Sequence, residues 1–375
     1  MECADKLLFT PGPLTTSPSV KQAMLKDMGS RDDAFIHLIA EIRAALLKVA
    51  CVSQQDGFES IPIQGSGTYG IESVFASVIG PSDRLLIMVN GAYGRRMVEM
   101  AKCYGLQHEV YEVPENEIHQ RTTLDAILSR KPFTHLATVH CETTTGILNP
   151  IDQFGAAAKE HRCQFIVDAM SSFGGIPLDM TSLSIDYLIS SSNKCLQGVP
   201  GVAFVVARRQ SLMGGQHEPR SLSLNLRQQL LGFEGNGQFR FTPPTHVLLA
   251  FHQALKELEA EGGVERRAAR YRENHQVLCA GMRELGFREY LPPELQSHII
   301  TAFHYPEKNF VFEEFYRRLS EHGMLIYPGK LSKVDCFRIG NIGHLFPHDI
   351  TALVQAIKAF VSGRNFRLTS NSKTE

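Results

Sequence analysis

The sequence predicts an α/β protein with a mostly parallel central sheet, followed by a smaller α+β domain. Between about residues 84 and 207, short apolar runs alternate with stretches of helical composition, a pattern typical of consecutive βαβ units. After about residue 246 the pattern changes to long helical segments and shorter extended runs. We therefore expect an N-terminal segment over 1–20, a large domain over 21–255 and a small C-terminal domain over 256–375.

Most predicted strands of the large domain are short apolar runs, as expected of buried strands, and residues 108–113 have an extended pattern. These strands are predicted at about 84–90, 108–113, 134–140, 164–168, 185–190 and 201–207, with helices at about 94–105, 122–130 and 151–161. In the C-terminal part we expect helices at about 245–262, 264–285 and 346–361, and strands near 298–304, 323–327 and 335–339. Ligands of open parallel sheets bind at the carboxyl ends of the strands, so polar residues there are candidates for a site.

Composition excludes several classes of protein. The 375 residues include 38 basic and 39 acidic side chains, and this balance argues against a general nucleic-acid binder. We expect no membrane span, because no apolar run approaches about 18 residues. The eight cysteines form no CxxC pair and the histidines show no ligand spacing, so neither a disulfide framework nor a metal site is expected. A cytoplasmic, reducing location is the simplest expectation.

A glycine-rich turn, Gln64 to Gly70, precedes a helical stretch that we expect to start near Ile71. Glycines let the backbone approach an anion, and Ser66 and Thr68 could donate to phosphate oxygens together with the first N–H groups of the helix. A capped turn with nothing bound is the alternative. The segment lacks a P-loop lysine and follows no clear strand of a dinucleotide-binding unit, so Walker-type and Rossmann sites both fit badly.

Two charged residues follow predicted strands. Asp168 ends the run Phe165–Val167, and Lys194 comes shortly after the run Tyr187–Ile189. A structural ion pair or helix cap for the aspartate, and a solvated loop position for the lysine, are the alternatives. A phosphate-binding turn, a strand-end Asp and a strand-end Lys in this order are together the set that pyridoxal 5′-phosphate needs.

The resemblance to a known family is carried by motifs along the whole chain. They lie at residues 7–15, 29–32, 64–70, 90–94, 140–146, 167–172, 192–201, 327–330 and 337–343. In these motifs the sequence resembles the class V aminotransferases of pyridoxal phosphate fold type I. The segments Glu142–Gly146 and Lys194–Gly198 resemble those of the branch that acts on a phosphonate.

The resemblance implies fold type I, with a seven-stranded type of sheet in the large, cofactor-binding domain, and a homodimer with shared active sites. By matching position, Lys194 bonds covalently to the cofactor and Asp168 pairs with its ring nitrogen. The other cofactor contacts that it implies are the phosphate ligands Ser66, Gly67 and Thr68, the stacking residue Tyr93, Thr145 or its neighbour Thr144 at the phenolic oxygen, Asn193 beside the lysine, and Thr242 at the phosphate of the partner subunit.

Three of these positions have alternatives. Arg338 is implied as the clamp for a substrate carboxylate, which its planar fork suits, but it could be a strand arginine in a surface ion pair. Tyr93 could be a core aromatic, and Thr242 could be the N-cap of a helix. Phe239 stands where alanine–glyoxylate relatives have Tyr, so one partner-subunit phosphate contact is expected to be absent or supplied differently.

The function that the resemblance implies is transamination of 2-aminoethylphosphonate with pyruvate, giving phosphonoacetaldehyde and L-alanine in phosphonate catabolism. A serine–pyruvate or serine/alanine–glyoxylate aminotransferase is the first alternative. A lyase or desulfurase using Cys195 and a cofactor-free binding protein are more distant ones. No motif identifies the phosphonate ligands, for which Arg31 and Arg95 are candidates.

Overall fold

The computed structural model describes residues 5–215, 217–307, 309–329, 331 and 334–362. Its strands are β1 (Leu7–Leu8), β2 (Phe58–Gln64), β3 (Leu85–Val89), β4 (His108–Glu112), β5 (His135–Val139), β6 (Cys141–Glu142), β7 (Ile147–Leu148), β8 (Gln164–Asp168), β9 (Tyr187–Ser191), β10 (Val202–Arg208), β11 (Ile300–His304), β12 (Met324–Leu325), β13 (Tyr327–Pro328) and β14 (Cys336–Gly340). Its helices are α1 (Pro18–Ala23), α2 (Asp33–Val49), α3 (Gly67–Val78), α4 (Ala92–Cys103), α5 (Arg121–Arg130), α6 (Ile151–Glu160), α7 (Arg209–Met213), α8 (Leu226–Asn236), α9 (Thr245–Glu261), α10 (Gly263–Glu284), α11 (Phe312–Glu321) and α12 (Pro347–Ser362).

The central sheet has seven strands in the order β2-β10-β9-β8-β5-β3-β4. The five strands from β9 to β4 are parallel, whereas β10 runs antiparallel to both of its neighbours. Every residue of β3, β5 and β9 is buried, because helices cover both faces of the sheet. The predicted α/β class with a mostly parallel seven-stranded sheet is confirmed.

Strand β2 was not predicted. It contains Glu59, Ser60 and Pro62, which break the apolar pattern, and a proline is tolerated because β2 lies at the edge of the sheet. Arg43 of α2 donates to the Glu59 carboxylate at 2.9 Å, so this polar side chain is paired although it is buried. The glycine-rich turn therefore does follow a strand, but one antiparallel to β10, and α3 begins at Gly67 rather than near Ile71.

The C-terminal part is built on a three-stranded antiparallel sheet, β11-β14-β13, whose buried side chains share one core with those of α10, α11 and α12. Its core is rich in aromatic side chains around Phe337, which lies within 6 Å, centroid to centroid, of Phe287, Phe303, Phe310 and Phe315. None of the helices described is long and apolar enough to cross a membrane.

The N-terminal segment joins the two parts, because β1 pairs in parallel with β12, with Leu7 opposite Met324 and Leu8 opposite Leu325. The domain limits at 20/21 and 255/256 stay a prediction. The second of them falls inside α9, and residues 1–4 and 363–375 of the outer segments lie outside the described residues.

Candidate active site

The two charged residues singled out in the sequence lie at the same edge of the central sheet. Asp168 is the last residue of β8, and Lys194 follows the end of the neighbouring parallel strand β9 by three residues. Because the carboxyl ends of parallel strands meet at one edge, the sequence order of these elements becomes spatial proximity.

The Asp168 carboxyl group is almost completely buried. Its side chain is 2% exposed, and its Oδ1 accepts a hydrogen bond from the Met170 N–H at 2.9 Å. Burial, together with the nearby Glu142 carboxylate, raises its pKa to about 7, against the opposing effects of the Met170 N–H and of the charges of Lys194 and Arg96. An ionised Asp168 would gain much from a cation placed beside it, which a protonated pyridine nitrogen supplies.

The Lys194 amine is directed toward the N-terminal segment. Its Nζ donates to the Pro11 carbonyl oxygen at 2.8 Å. A Cβ on Gly12 would lie 2.7 Å from the same nitrogen, and the φ of +123° at Gly12 would strain any other residue. Burial lowers the pKa of Lys194, and the Arg338 charge lowers it further, against the opposing effects of Tyr93, Cys195 and Asp168. A lowered pKa makes the amine available as a nucleophile and as a base.

The glycine-rich turn forms a niche at the N-terminus of α3. Ser66 is the N-cap residue, but its hydroxyl makes no capping hydrogen bond to the helix. A Cβ on Gly67 would lie 2.2 Å from the Met170 Sδ, so a larger residue would displace that side chain. Together with Thr68, this niche presents hydroxyls and helical N–H groups to an anion, as a cofactor phosphate requires.

Arg96 was missed by sequence reasoning. Its Nη1 lies 3.4 Å from the Thr68 Oγ1, and its guanidinium carbon lies 5.0 Å from the centroid of the Tyr93 ring. Tyr93 and Arg96 lie in the first two turns of α4, three residues apart and therefore on one face of the helix. That spacing was the available signal, and it places a positive charge next to the niche.

The two candidate threonines differ in their contacts. The Thr144 hydroxyl donates to Glu142 Oε1 at 2.6 Å and accepts from the Ala92 N–H at 3.0 Å. The Thr145 hydroxyl accepts from the Ile147 N–H at 3.2 Å. Since the Thr144 hydroxyl already donates within the protein, Thr145 is the better placed of the two to donate to a cofactor oxygen.

Arg338 lies in the middle of β14 and is 5% exposed. Its Nη1 donates to the Thr143 carbonyl oxygen at 2.7 Å and its Nε to the Pro328 carbonyl oxygen at 3.0 Å. Burial lowers its pKa, and the Tyr93, Cys336, Tyr327 and Glu142 side chains oppose this shift. These contacts argue against the surface ion pair, because the guanidinium is fixed by neutral carbonyl groups beside the catalytic edge.

Thr242 is exposed, on the loop that precedes α9. The Gln64 Nε2 donates to the carbonyl oxygens of Phe241 and Thr242, at 3.0 and 3.2 Å, which fixes the loop before α9. The alternative of Thr242 as N-cap is wrong, because Pro244 occupies that position and α9 begins at Thr245.

The remaining candidates are separated by their contacts. Asn193 is half-buried beside Lys194, as expected. Arg95 pairs with Glu112 at 3.1 Å and with Glu115 at 2.9 Å, and Arg31 is exposed, so neither is a good candidate for a phosphonate ligand.

Across the described ranges, no three His, Cys, Asp or Glu residues are grouped so that they could hold a metal ion.

Comparison with known proteins agrees with this arrangement. A model of the aminotransferase class V family matches residues 15–333. The chain belongs to the class V aminotransferases. It is 54% identical over 362 residues to the 2-aminoethylphosphonate–pyruvate transaminases of Salmonella typhimurium and Salmonella dublin, covering 96% of this chain and 98% of each relative.

Two solved structures show how far the fold is shared. Alanine–glyoxylate aminotransferase from Nostoc sp. superposes with a TM-score of 0.88 at 27% identity, covering 96% of both chains. Ureidoglycine–glyoxylate aminotransferase from Bacillus subtilis superposes with a TM-score of 0.90 at 24% identity, covering 99% of this chain and 96% of that one. Membership of this family confirms the predictions of an aminotransferase and of pyridoxal phosphate as cofactor. The residues described above fit that cofactor, since they offer an anion niche, a buried carboxyl group and an amine of lowered pKa at one sheet edge.

Proposed function

We propose that this protein transfers the amino group of 2-aminoethylphosphonate to pyruvate, producing phosphonoacetaldehyde and L-alanine. The observation that supports the chemistry is the meeting of Asp168, Lys194 and the α3 niche at the carboxyl edge of the central sheet. The choice of donor and acceptor rests on the name shared by the 54% identical relatives.

The cofactor supplies an aldehyde that bonds covalently to amines and a ring that takes up electrons from the substrate. Lys194 would hold it covalently through Nζ and, once replaced by the substrate amine, would move a proton between substrate and cofactor carbons. Asp168 would keep a proton on the ring nitrogen, and Ser66, Gly67 and Thr68 would bind the phosphate. The pKa shifts of Asp168 and Lys194 support the roles of these two residues, and the position of the glycine-rich turn at the start of α3 supports the phosphate contacts.

Four residues would complete the binding of the ring and the substrate. Tyr93 would cover the ring, Thr145 would donate to its phenolic oxygen, and Asn193 would lie beside the lysine. Arg338 would bind the pyruvate carboxylate with the N–H groups that its two carbonyl partners leave over. Lysine could not replace this fork, because its three donors lack the planar geometry that matches a carboxylate.

We also propose a cytoplasmic homodimer in which Thr242 of one subunit contacts the phosphate bound by the other. The loop bearing Thr242 is exposed but fixed by Gln64, so the hydroxyl is presented outward on an ordered segment. Phe239 packs edge-on against Phe233 of the same chain, 5.0 Å between centroids, and would contribute no polar contact to a partner. Sedimentation of the wild type and of Thr242→Ala, with the cofactor affinity of each, tests this assignment.

A donor and acceptor screen tests the proposed function. We expect alanine to form from pyruvate with 2-aminoethylphosphonate at least about a hundredfold faster than with serine, because a site built for one substrate loses several hydrogen bonds with another. Faster transfer from serine or alanine to glyoxylate would instead establish the first alternative. The same screen with Lys194→Ala measures the background reaction.

A further inference from the structure

A buried carboxylate with no established role lies at the start of α4. Glu142 belongs to the short strand β6 and is completely buried, at 0% exposure. Its Oε2 accepts from the N–H groups of Tyr93 at 3.0 Å and Gly94 at 3.3 Å. Its Oε1 accepts from the Thr144 N–H at 3.0 Å and the Thr144 hydroxyl at 2.6 Å.

These contacts make Glu142 a cap for a helix that lies about fifty residues earlier in the chain. The N-cap residue of α4, Gly91, has no side chain that could bind the free N–H groups of the first turn. Glu142 binds two of them, and the Thr144 hydroxyl binds a third, that of Ala92 at 3.0 Å. The partial positive charge of the helix N-terminus and four donors stabilise the carboxylate where water cannot reach it.

The first turn of α4 is the one that presents Tyr93 to the cofactor. The Tyr93 N–H bonds directly to Glu142, so any shift of that carboxylate moves the residue that bears the ring. Glu142 also raises the pKa values of Asp168 and Arg338, so its charge acts on both of these residues. None of the neighbours that it hydrogen-bonds is a cation.

We propose that Glu142 is a positioning residue for the transamination: it fixes the first turn of α4, and through it the Tyr93 ring over the cofactor. The inference rests on the proposed function, because it assigns Tyr93 to the cofactor ring. It adds a residue that touches neither substrate nor cofactor but determines how firmly and in which orientation the cofactor is held.

Two substitutions test this by different routes. Glu142→Gln keeps the shape, but its NH₂ group must face at least one backbone N–H donor, so at least one of the four hydrogen bonds is lost. Gly91→Ala keeps the carboxylate and the charge, but the new Cβ would lie 2.4 Å from the Glu142 Cδ and push it away from Tyr93. Gly91 has extended backbone, φ 172°, which alanine adopts without strain, so this variant isolates the displacement of Glu142.

The matched control is Glu59→Gln, another buried glutamate, which lies on strand β2 of the central sheet. Glu59 pairs with Arg43 and Arg209 at a distance from the site, so this control measures the effect of losing a buried carboxylate on stability alone. For each holoenzyme, we would measure the visible circular dichroism per bound cofactor and the rate of cofactor loss after dilution into cofactor-free buffer.

We expect Glu142→Gln to lose at least half of the visible circular dichroism and to release cofactor about tenfold faster, with Gly91→Ala changing in the same direction. Glu59→Gln should keep wild-type values of both while its urea midpoint falls. If Glu142→Gln and Gly91→Ala keep wild-type dichroism and release rates, the inference is wrong and Glu142 is only structural. If Glu142→Gln does not fold, Gly91→Ala decides alone. A wild-type protein with no visible cofactor band would instead refute the proposed function.

Discussion

Two aspartates lie at opposite ends of the neighbouring parallel strands β8 and β9, and their carboxyl groups have different partners. Asp186, just before β9 at the amino edge, accepts from the Phe165 N–H at 2.9 Å and the Ser211 hydroxyl at 2.7 Å, and lies 3.4 Å from the Arg208 Nε. Asp168, at the carboxyl edge, is buried with a pKa raised to about 7. The protein therefore satisfies one carboxylate internally and keeps the other in a setting that favours an external cation.

The same contrast extends to the nearby bases. At the amino edge, burial lowers the pKa of His135 to about 4, so this imidazole is neutral at pH 7. At the carboxyl edge, the partly buried Lys194 has a lowered pKa but donates to a backbone carbonyl that holds its amine in place. Burial alone therefore does not distinguish a functional edge from a structural one; the partners of each charged group do.

The largest effect that we expect is from Lys194→Ala. Turnover should fall by at least about a thousandfold, because the amine that holds the cofactor and moves the proton is gone. The visible absorbance of the wild-type holoenzyme should change with it. Lys48→Ala, at an exposed position on α2, serves as the control, and near-normal turnover of the Lys194 variant would refute the assignment.

Replacing Asp168 or Asp186 with asparagine compares how much each carboxyl group contributes to activity. Asp168→Asn should lower kcat about a hundredfold or more, because the amide cannot hold a proton on the ring nitrogen by its charge. Asp186→Asn should keep kcat within about threefold of the wild type and lower the urea midpoint, because it disturbs structural hydrogen bonds only. Steady-state kinetics with pyruvate as acceptor measures the first effect. Equal losses of kcat in both variants would remove the distinction between the edges.

Asp168→Asn should lower kcat, but it should raise the stability of the cofactor-free protein. A carboxyl pKa raised from 3.8 to about 7 means that the folded chain holds a proton which the unfolded chain has released, so stability falls as pH rises between about 4 and 7. Asp168→Asn should therefore be more stable than the wild type at pH 8, by at most about 4 kcal/mol. The difference should vanish below about pH 4. Urea unfolding after removal of cofactor checks this, and a variant less stable at pH 8 would contradict it.

A smaller effect is expected from His135→Gln at the amino edge. A histidine pKa lowered to about 4 makes the unfolded chain bind more protons between pH 4 and 6.5, so the wild type loses stability as pH falls through that range. The variant should lose about 2 kcal/mol less between pH 7 and 4.5. His348→Gln, at an exposed position, should leave the wild-type pH dependence unchanged. Urea midpoints at the two pH values compare the three proteins.

The strands of the central sheet were predictable because most are uniform apolar runs, and the site followed from the rule that strand carboxyl ends meet. Strand β2 was not, since Glu59 and Pro62 interrupt its pattern and are tolerated through Arg43 and the edge position. Asp168 and Lys194 could be found because Asp168 ends one recognisable strand and Lys194 follows another by three residues.

Other parts of the site depend on contacts between distant segments, which no local pattern reports. Glu142 acts on a helix that starts at Ala92, and its residue type alone does not indicate this partner. The local Thr-Pro-Pro pattern offered Thr242 as an alternative N-cap, yet the helix starts at Thr245, directly after the second proline and at the predicted start near residue 245. Local chemistry allowed both starts, and the anchoring of the loop by Gln64 accompanies the observed one.

The N-terminal segment sets the order in which the enzyme can be completed during synthesis. Pro11 meets the Lys194 amine only if this segment is in place, and β1, which leads into it, pairs with Met324 and Leu325 of β12. A nascent chain that has not yet reached β12 contains Asp168 and Lys194 but lacks this anchor for the residues beside the lysine. The ribosome must therefore release most of the polypeptide before the first dozen residues can take up their final place.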